Sequence, residues 1–147
     1  MVEYWKNEQE TRQARKYGWH HTGDLGKFDE DGLLIFVDRK KDLIKSGGEN
    51  VPSIIVESVL MAHPKVANAV VVGLPHNRWG EAVTAFVVPK PGEKVTKEEM
   101  IGHCKARLAR FQVPKDVINV EELPINASGK IQKFQIRQTY RDYFKEG

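Results

Sequence analysis

The first clear pattern of apolar and polar positions lies in the amino-terminal third, where two short apolar segments flank a turn. Leu25–Phe28 and Leu33–Val37 have the composition of paired strands, and Asp29–Gly32 between them is rich in turn-forming residues. We expect Gly32 to take the positive-φ position of that turn, because glycine has no Cβ to clash there. The pattern therefore predicts a β-hairpin.

Three later segments predict the strands of a second sheet. Val66–Leu74 and Ala82–Val88 are dense in β-branched residues, and Val117–Val120 is a shorter segment of the same kind. We expect Pro75 to end the first of these strands, and Pro89 and Pro91 to end the second, because proline cannot donate to a ladder.

Four segments predict helices: residues 1–17, Ser53–Met61, Thr96–Ala109 and Phe134–Phe144. Thr96 and Glu99 have the spacing of a capping box, and Pro52 is expected in the first turn of its helix. Strands and helices in this order predict a small α+β domain, with helices packed on a short sheet.

Composition narrows the class of protein. The chain has 147 residues, of which 40% are hydrophobic and 29% charged, as is typical of a globular domain with a core. No apolar run is long enough to cross a bilayer, and the amino terminus lacks a signal peptide's apolar segment. Cys104 is the only cysteine; we expect a buried, inert thiol in a reducing, cytoplasmic compartment.

The charge pattern argues against nucleic acid as a partner. The net charge is +3, but basic residues are dispersed, and the densest group, Arg39–Lys41, is flanked by Asp38 and Asp42. A nucleic-acid surface needs a stronger basic stripe. The pattern still allows a small phosphorylated ligand.

Residues 18–51 concentrate polar groups on a sharply turned backbone. Asp24 follows Thr22-Gly23 and can accept two hydrogen bonds from vicinal ribose hydroxyls, while Arg39 can donate to the same hydroxyls or to a phosphate. The alternative is a turn aspartate and a surface salt bridge. The Gly47–Asn50 segment allows either close approach of a ligand to the backbone or a simple tight turn.

A second candidate segment ends in Ser128-Gly129-Lys130. A Walker phosphate loop requires glycine and Ser or Thr where this chain has Pro124 and Ile131, so that motif is excluded. A lysine at the tip of a glycine-containing loop can still neutralise an α-phosphate, although it can equally be a solvated side chain. The five histidines have no metal-ligand spacing, so we predict no protein-bound metal.

In their order and spacing, these motifs resemble the C-terminal end of the adenylate-forming enzymes. That family includes acyl-CoA synthetases, aryl-CoA ligases, luciferases and peptide-synthetase adenylation domains. The matching motifs are Tyr4-Trp5, Gly18-Trp19-His20-His21-Thr22-Gly23-Asp24-Leu25, Asp38-Arg39-Lys40-Lys41-Asp42-Leu43-Ile44, Gly47-Gly48-Glu49-Asn50-Val51, Gly80-Glu81 and Pro124-Ile125-Asn126-Ala127-Ser128-Gly129-Lys130-Ile131. The Gly-Gly-Glu-Asn form and the Asp-Arg-Lys-Lys-Asp segment resemble medium- or long-chain acyl-CoA ligases or aryl-CoA ligases more than peptide-synthetase domains.

The resemblance implies two domain assignments. Residues 1–40 are expected to be the tail of a large adenylation domain, including a β-hairpin. Residues 41–147 are expected to be a mobile lid with a short mixed sheet flanked by helices, and Lys41 stands at the hinge. The rest of the large domain, with its acyl pocket, is expected to be missing from this chain.

The resemblance also implies roles for individual residues. Asp24 and Arg39 would hold the ribose of the nucleotide, and Lys130 would stabilise the adenylation transition state. After a rotation at the hinge, Gly47, Gly48, Glu49 and Asn50 would line the tunnel for CoA.

The resemblance implies that the chain is a C-terminal fragment of an ATP-dependent, AMP-forming acyl-CoA synthetase. ATP, AMP, CoA and a carboxylate would be ligands, with Mg²⁺ accompanying ATP in the full enzyme and none of them tightly bound to this chain. We expect no ligase activity from the chain alone, and unpaired hairpin edges that favour oligomerisation. The alternative function is a non-catalytic binding or regulatory module that docks on a partner protein.

Overall fold

A computed structural model of the chain describes residues 3–145. It divides into two compact units, with the division between Lys41 and Asp42. No helix within residues 3–145 combines the length and the apolar character needed to cross a membrane.

The first unit begins with a helix that is shorter than predicted. Helix α1 spans Glu8–Ala14 rather than residues 1–17, of which residues 1 and 2 lie outside the described part. Asn7 begins it by accepting a hydrogen bond from the Glu10 N–H, and residues 3–6 are not helical. After α1 comes a 3-10 turn over Lys16–Gly18, in which Tyr17 has a φ of +62°.

The predicted hairpin is confirmed in the first unit. Strand β1 spans Asp24–Phe28, strand β2 spans Leu34–Arg39, and the two pair antiparallel. The Asp29 carboxylate accepts hydrogen bonds from the N–H groups of Asp31 and Leu33, and Gly32 has the expected positive φ of +78°. Local turn chemistry therefore sets the register of this pair.

The second unit is built on a five-stranded mixed sheet. Its strands are β3 (Ile44–Ser46), β4 (Glu49–Val51), β5 (Val66–His76), β6 (Gly80–Pro89) and β7 (Asp116–Asn119). The order is β4-β3-β6-β5, with β7 pairing parallel to β6 and the other pairs antiparallel. The helices of this unit are α2 (Ser53–Met61), α3 (Lys97–Lys105) and α4 (Lys133–Thr139).

Strands β5 and β6 form the centre of the core. Their apolar residues are buried on both faces of the sheet, which explains why both segments are almost continuously hydrophobic. One face packs with Val56, Leu60, Met100 and Cys104 of α2 and α3. The other face carries Phe86 and is covered from the α4 side by residues that include Ile136. The prediction of a buried Cys104 is confirmed.

Several predicted boundaries in the second unit are wrong. Pro75 does not end β5, which continues to His76; β5 is an edge strand, where the missing N–H of proline is tolerated. Pro52 caps α2 in an extended conformation instead of lying in its first turn. Helix α3 ends at Lys105 rather than Ala109, and α4 ends at Thr139 rather than at residue 144.

The predicted capping box is half formed. Thr96 accepts a hydrogen bond from the Glu99 N–H, as expected of an N-cap. The Glu99 carboxylate instead lies 2.9 Å from the ammonium of Lys65. A tertiary ion pair has therefore replaced the local partner.

Candidate functional site

The structure brings Asp24 and Arg39 together. They are directly paired across the β1–β2 hairpin, Asp24 at the start of one strand and Arg39 at the end of the other. Residues at opposed positions of an antiparallel pair have side chains on the same face of the sheet. Both residues are exposed, so a carboxylate and a guanidinium stand side by side and accessible to a ligand.

The backbone around this pair is held by local hydrogen bonds. The Thr22 hydroxyl oxygen accepts from the Asp24 N–H, and the Lys40 N–H donates to the Gly23 carbonyl at 2.8 Å. An open cleft of about 510 Å³ is lined by residues 22–24 and 39–41. A carboxylate can accept hydrogen bonds from a diol, and a guanidinium can donate hydrogen bonds to a hydroxyl or a phosphate.

Lys130 lies at the end of a tightly bonded loop. The side-chain oxygen of Asn126 accepts hydrogen bonds from the Ser128 N–H, the Ser128 hydroxyl and the Lys130 N–H. The Asn126 N–H donates to the Lys130 carbonyl at 2.9 Å, and Gly129 has a φ of +78°. The loop therefore fixes the backbone of Lys130 while its side chain stays exposed.

The predicted four-residue turn at Gly47–Asn50 is narrower than expected. Only Gly47 and Gly48 form the turn, with φ of +61° and +87°, while Glu49 and Asn50 belong to strand β4. The Gly47 N–H donates to the carbonyl of Trp79 at 2.8 Å, and a Cβ at Gly47 would lie 3.3 Å from the Trp79 ring. Glycine at this position is therefore required by both backbone conformation and space.

The sequence did not predict a cluster of Arg78, Trp79 and Lys115 beside this turn. The ring of Trp79 lies 4.7 Å from the guanidinium carbon of Arg78 and 4.8 Å from the ammonium of Lys115. Burial lowers the pKa of Lys115, and the nearby charge of Arg110 lowers it further. The adjacency of Arg78 and Trp79 is visible in the sequence, but the approach of Lys115 arises only from the pairing of β7 with β6.

Two ion pairs fix helix α4. The Lys133 ammonium lies 2.7 Å from a Glu57 carboxylate oxygen and donates to the Ser53 hydroxyl at 2.7 Å. Both terminal nitrogens of Arg137 lie 3.1 Å from one carboxylate oxygen of Asp42. No sequence motif indicated either pair.

The remaining predicted site residue, Lys41, is the last residue before the division between the two units. Asp24 and Arg39 lie in the first unit, whereas Lys130 and the Gly47–Asn50 segment lie in the second. Within residues 3–145, no group of three or more His, Cys, Asp or Glu side chains is placed to hold a metal ion.

Comparison with known proteins identifies the family. Residues 55–130 match the AMP-binding enzyme C-terminal domain. The 2-succinylbenzoate–CoA ligase of Bacillus cereus (strain ATCC 10987 / NRS 248) is 50% identical over 135 residues, covering 92% of this chain. The peroxisomal trans-cinnamate:CoA ligase of Petunia hybrida is 43% identical over 143 residues, covering 97% of this chain and 25% of the relative.

Solved structures agree with these relatives. ATP-bound MatB from Rhodopseudomonas palustris superposes with a TM-score of 0.87 at 40% identity, covering 97% of this chain and 28% of MatB. The o-succinylbenzoate CoA synthetase MenE from Bacillus subtilis, in complex with the acyl-adenylate OSB-AMP, gives a TM-score of 0.83 at 39% identity. That match covers 92% of this chain and 28% of MenE.

The chain spans 28% of the length of the Bacillus cereus ligase. These matches confirm the resemblance to adenylate-forming enzymes and the α+β fold class. The alternative hypothesis of a non-catalytic binding module is not favoured, because the relatives are CoA ligases. With a family match over residues 55–130 and ligases among its relatives, the chain belongs to the AMP-binding enzyme C-terminal domain family.

Proposed function

We propose that this chain is the C-terminal part of an AMP-forming acid–thiol ligase. Such an enzyme joins a carboxylate to the α-phosphate of ATP with release of pyrophosphate. It then transfers the acyl group to the thiol of CoA with release of AMP. The observation that carries the proposal is the pairing of Asp24 with Arg39 in a chain that is 50% identical to a CoA ligase.

Three residues serve the adenylation step in this proposal. The Asp24 carboxylate accepts hydrogen bonds from the ribose hydroxyls, and the Arg39 guanidinium donates to the same group. The ammonium of Lys130 lies against the carboxylate and the α-phosphate, where negative charge accumulates as the new bond forms. Its exposed side chain and fixed backbone suit that role. Mg²⁺ enters with ATP as part of the substrate.

The second step, acyl transfer to CoA, uses a different set of residues in the second unit. At Gly48 nothing lies within 4 Å of the position that a Cβ would take, so the backbone there is open to close approach by a narrow ligand such as pantetheine. The cluster of Arg78, Trp79 and Lys115 supplies an aromatic face and two cations. That combination suits the adenine ring and phosphates of CoA.

In this proposal each of the two units has its own role. The first unit acts as the tail of a large adenylation domain, and the second acts as a lid that rotates about Lys41 between the two steps. The large domain supplies the acyl pocket, so the chain alone has no ligase activity.

A hybrid ligase tests this proposal. In the hybrid, this chain replaces the matching part of the Bacillus cereus 2-succinylbenzoate–CoA ligase and is fused to the rest of that enzyme. We expect the hybrid to form the CoA thioester from 2-succinylbenzoate, ATP and CoA, and the chain alone to form none. Thioester formation by the chain alone, or a folded hybrid that binds ATP without forming either acyl-adenylate or thioester, would overturn the proposal.

A further inference from the structure

Helix α4 begins three residues after Lys130 and is too short to be stable by itself. It spans seven residues, Lys133–Thr139, whereas isolated helices need about 12–15 residues to be even marginally stable in water. Its start is not capped by a side-chain hydrogen bond. Contacts with the rest of the second unit must therefore hold it in place.

The first contact fixes the start of the helix. The Lys133 ammonium lies 2.7 Å from Glu57 and 2.7 Å from the Ser53 hydroxyl, both on α2. The side chains of Lys133 and Glu57 are only 16% and 18% exposed, so water screens this pair weakly.

Glu57 is itself anchored to the sheet. The same carboxylate oxygen accepts a hydrogen bond from the Val71 N–H of β5 at 2.8 Å. Because β5 is an edge strand, Glu57 satisfies a backbone donor that has no neighbouring strand. The contacts that start at Lys133 therefore end at Val71, which is fully buried.

The second contact fixes the far half of the helix. Arg137 donates through both terminal nitrogens to one oxygen of Asp42, whose side chain is 11% exposed. Asp42 is the first residue of the second unit and directly follows Lys41. Arg137 thus ties α4 to the segment with which this unit begins.

The connection from α4 to Lys130 is short and bonded. Lys133 is three residues from Lys130, Ile131 bridges to Ile125, and the Gln132 N–H donates to the Pro124 carbonyl at 2.8 Å. A displacement at Lys133 therefore passes to the loop that carries Lys130.

We propose that Lys133, through Glu57, and Arg137, through Asp42, are positioning residues that set where the Lys130 ammonium lies during adenylation. This inference rests on the role given to Lys130 in the proposed function. Their charged groups contact Glu57, Ser53 and Asp42. Their effect on the reaction is through the placement of Lys130.

The proposal differs measurably from a purely structural role. If the pairs only stabilise the fold, their loss lowers stability and affects both half-reactions alike. If they position Lys130, their loss slows adenylation and spares acyl transfer. A misplacement of about 1 Å in a catalytic group costs on the order of 10²-fold in rate.

The experiment measures both half-reactions separately in the hybrid ligase. Adenylation is followed by exchange of pyrophosphate into ATP, and acyl transfer by thioester formation from the preformed acyl-adenylate. The variants are Lys130→Ala as reference, Lys133→Met, Lys133→Arg and Asp42→Asn. Lys94→Met, at an exposed lysine in the loop before α3, is the matched control.

We expect Lys133→Met to slow adenylation by at least about tenfold and to change acyl transfer by less than about twofold. Lys133→Arg, whose guanidinium can still pair with Glu57, should recover most of the loss. Asp42→Asn, which leaves the Glu57 pair intact, should show the same selectivity. This variant decides the matter if Lys133→Met does not fold.

Two results would overturn the inference, and they are distinguishable. If Lys130→Ala slows adenylation while Lys133→Met and Asp42→Asn leave both steps unchanged or slow them equally, the positioning role is wrong and the proposed function stands. If Lys130→Ala itself leaves adenylation unchanged, the proposed role of Lys130 is wrong and the positioning role is lost with it.

Discussion

Breaking the Lys133–Glu57 pair should strongly destabilise the second unit. In Lys133→Met, the Glu57 carboxylate keeps its hydrogen bond from the Val71 N–H but loses the ammonium that lies 2.7 Å away. Removal of one member of a buried pair costs about 3–5 kcal/mol, because the other charge remains desolvated. Since each side chain keeps 16–18% of its exposure, we expect about 3 kcal/mol of lost unfolding free energy.

A double-mutant cycle isolates the interaction from other effects of the substitution. Glu57→Gln keeps an oxygen that can accept from the Val71 N–H but removes the charge. The double variant Lys133→Met/Glu57→Gln should therefore cost less than the sum of the single variants, by about 2 kcal/mol. Urea unfolding of the chain, followed by far-UV circular dichroism, gives the free energies.

An exposed ion pair with the same nitrogen–oxygen distance is the matched control. Lys145 and Asp142 also lie 2.7 Å apart, but their side chains are 55% and 67% exposed. Lys145→Met should leave stability unchanged, because solvent screens such a pair. If Lys133→Met behaves like Lys145→Met, or if the cycle is additive, the reasoning from burial is refuted.

Three further predictions concern other parts of the chain. Burial raises the pKa of Cys104 to about 11, so a thiol reagent at pH 8 should modify the folded chain at least about 100-fold more slowly than the urea-unfolded chain; equal rates would show an accessible thiol. Burial, reinforced by His103 and only partly offset by Glu99, lowers the pKa of His63 below 6.5. The unfolded chain then binds a proton that the folded chain does not, so stability should fall as the pH drops through 6.5, and His63→Gln should flatten that decline; an unchanged slope would contradict it. In the hybrid ligase, Arg39→Ala should raise the KM for ATP and for preformed acyl-adenylate by about tenfold each, because both carry the ribose; an effect on ATP alone would argue against ribose binding.

Much of the fold could be predicted because its signals are local. The turn at Asp29–Gly32 and the bounds of α2 at Ser53–Met61 depend on residues next to one another in sequence. The three-residue strands β3 and β4 were not predicted as strands, since segments so short carry no measurable periodicity. Their hairpin is held by tertiary bonds, from the Lys45 N–H to Glu81 and from the Gly47 N–H to Trp79.

In the candidate site, too, local features could be predicted from the sequence and tertiary contacts could not. Asp24 and Arg39 could be singled out by residue type, and their pairing follows from the predicted hairpin. The placement of Lys115 beside Trp79 and of Lys133 beside Glu57 joins residues that are far apart in sequence. Composition and spacing carry no signal for such contacts, so only the folded structure shows them.

The role of Lys130 is the central claim, and one comparison of the two half-reactions tests it most directly. In the hybrid ligase carrying Lys130→Ala, we expect pyrophosphate exchange to fall by about 100-fold or more, because the cation that offsets the developing charge is lost. Thioester formation from preformed acyl-adenylate should stay within about twofold of the unsubstituted hybrid, since Lys130 has no part in that step. Equal loss of both half-reactions, or undiminished exchange, would contradict the account.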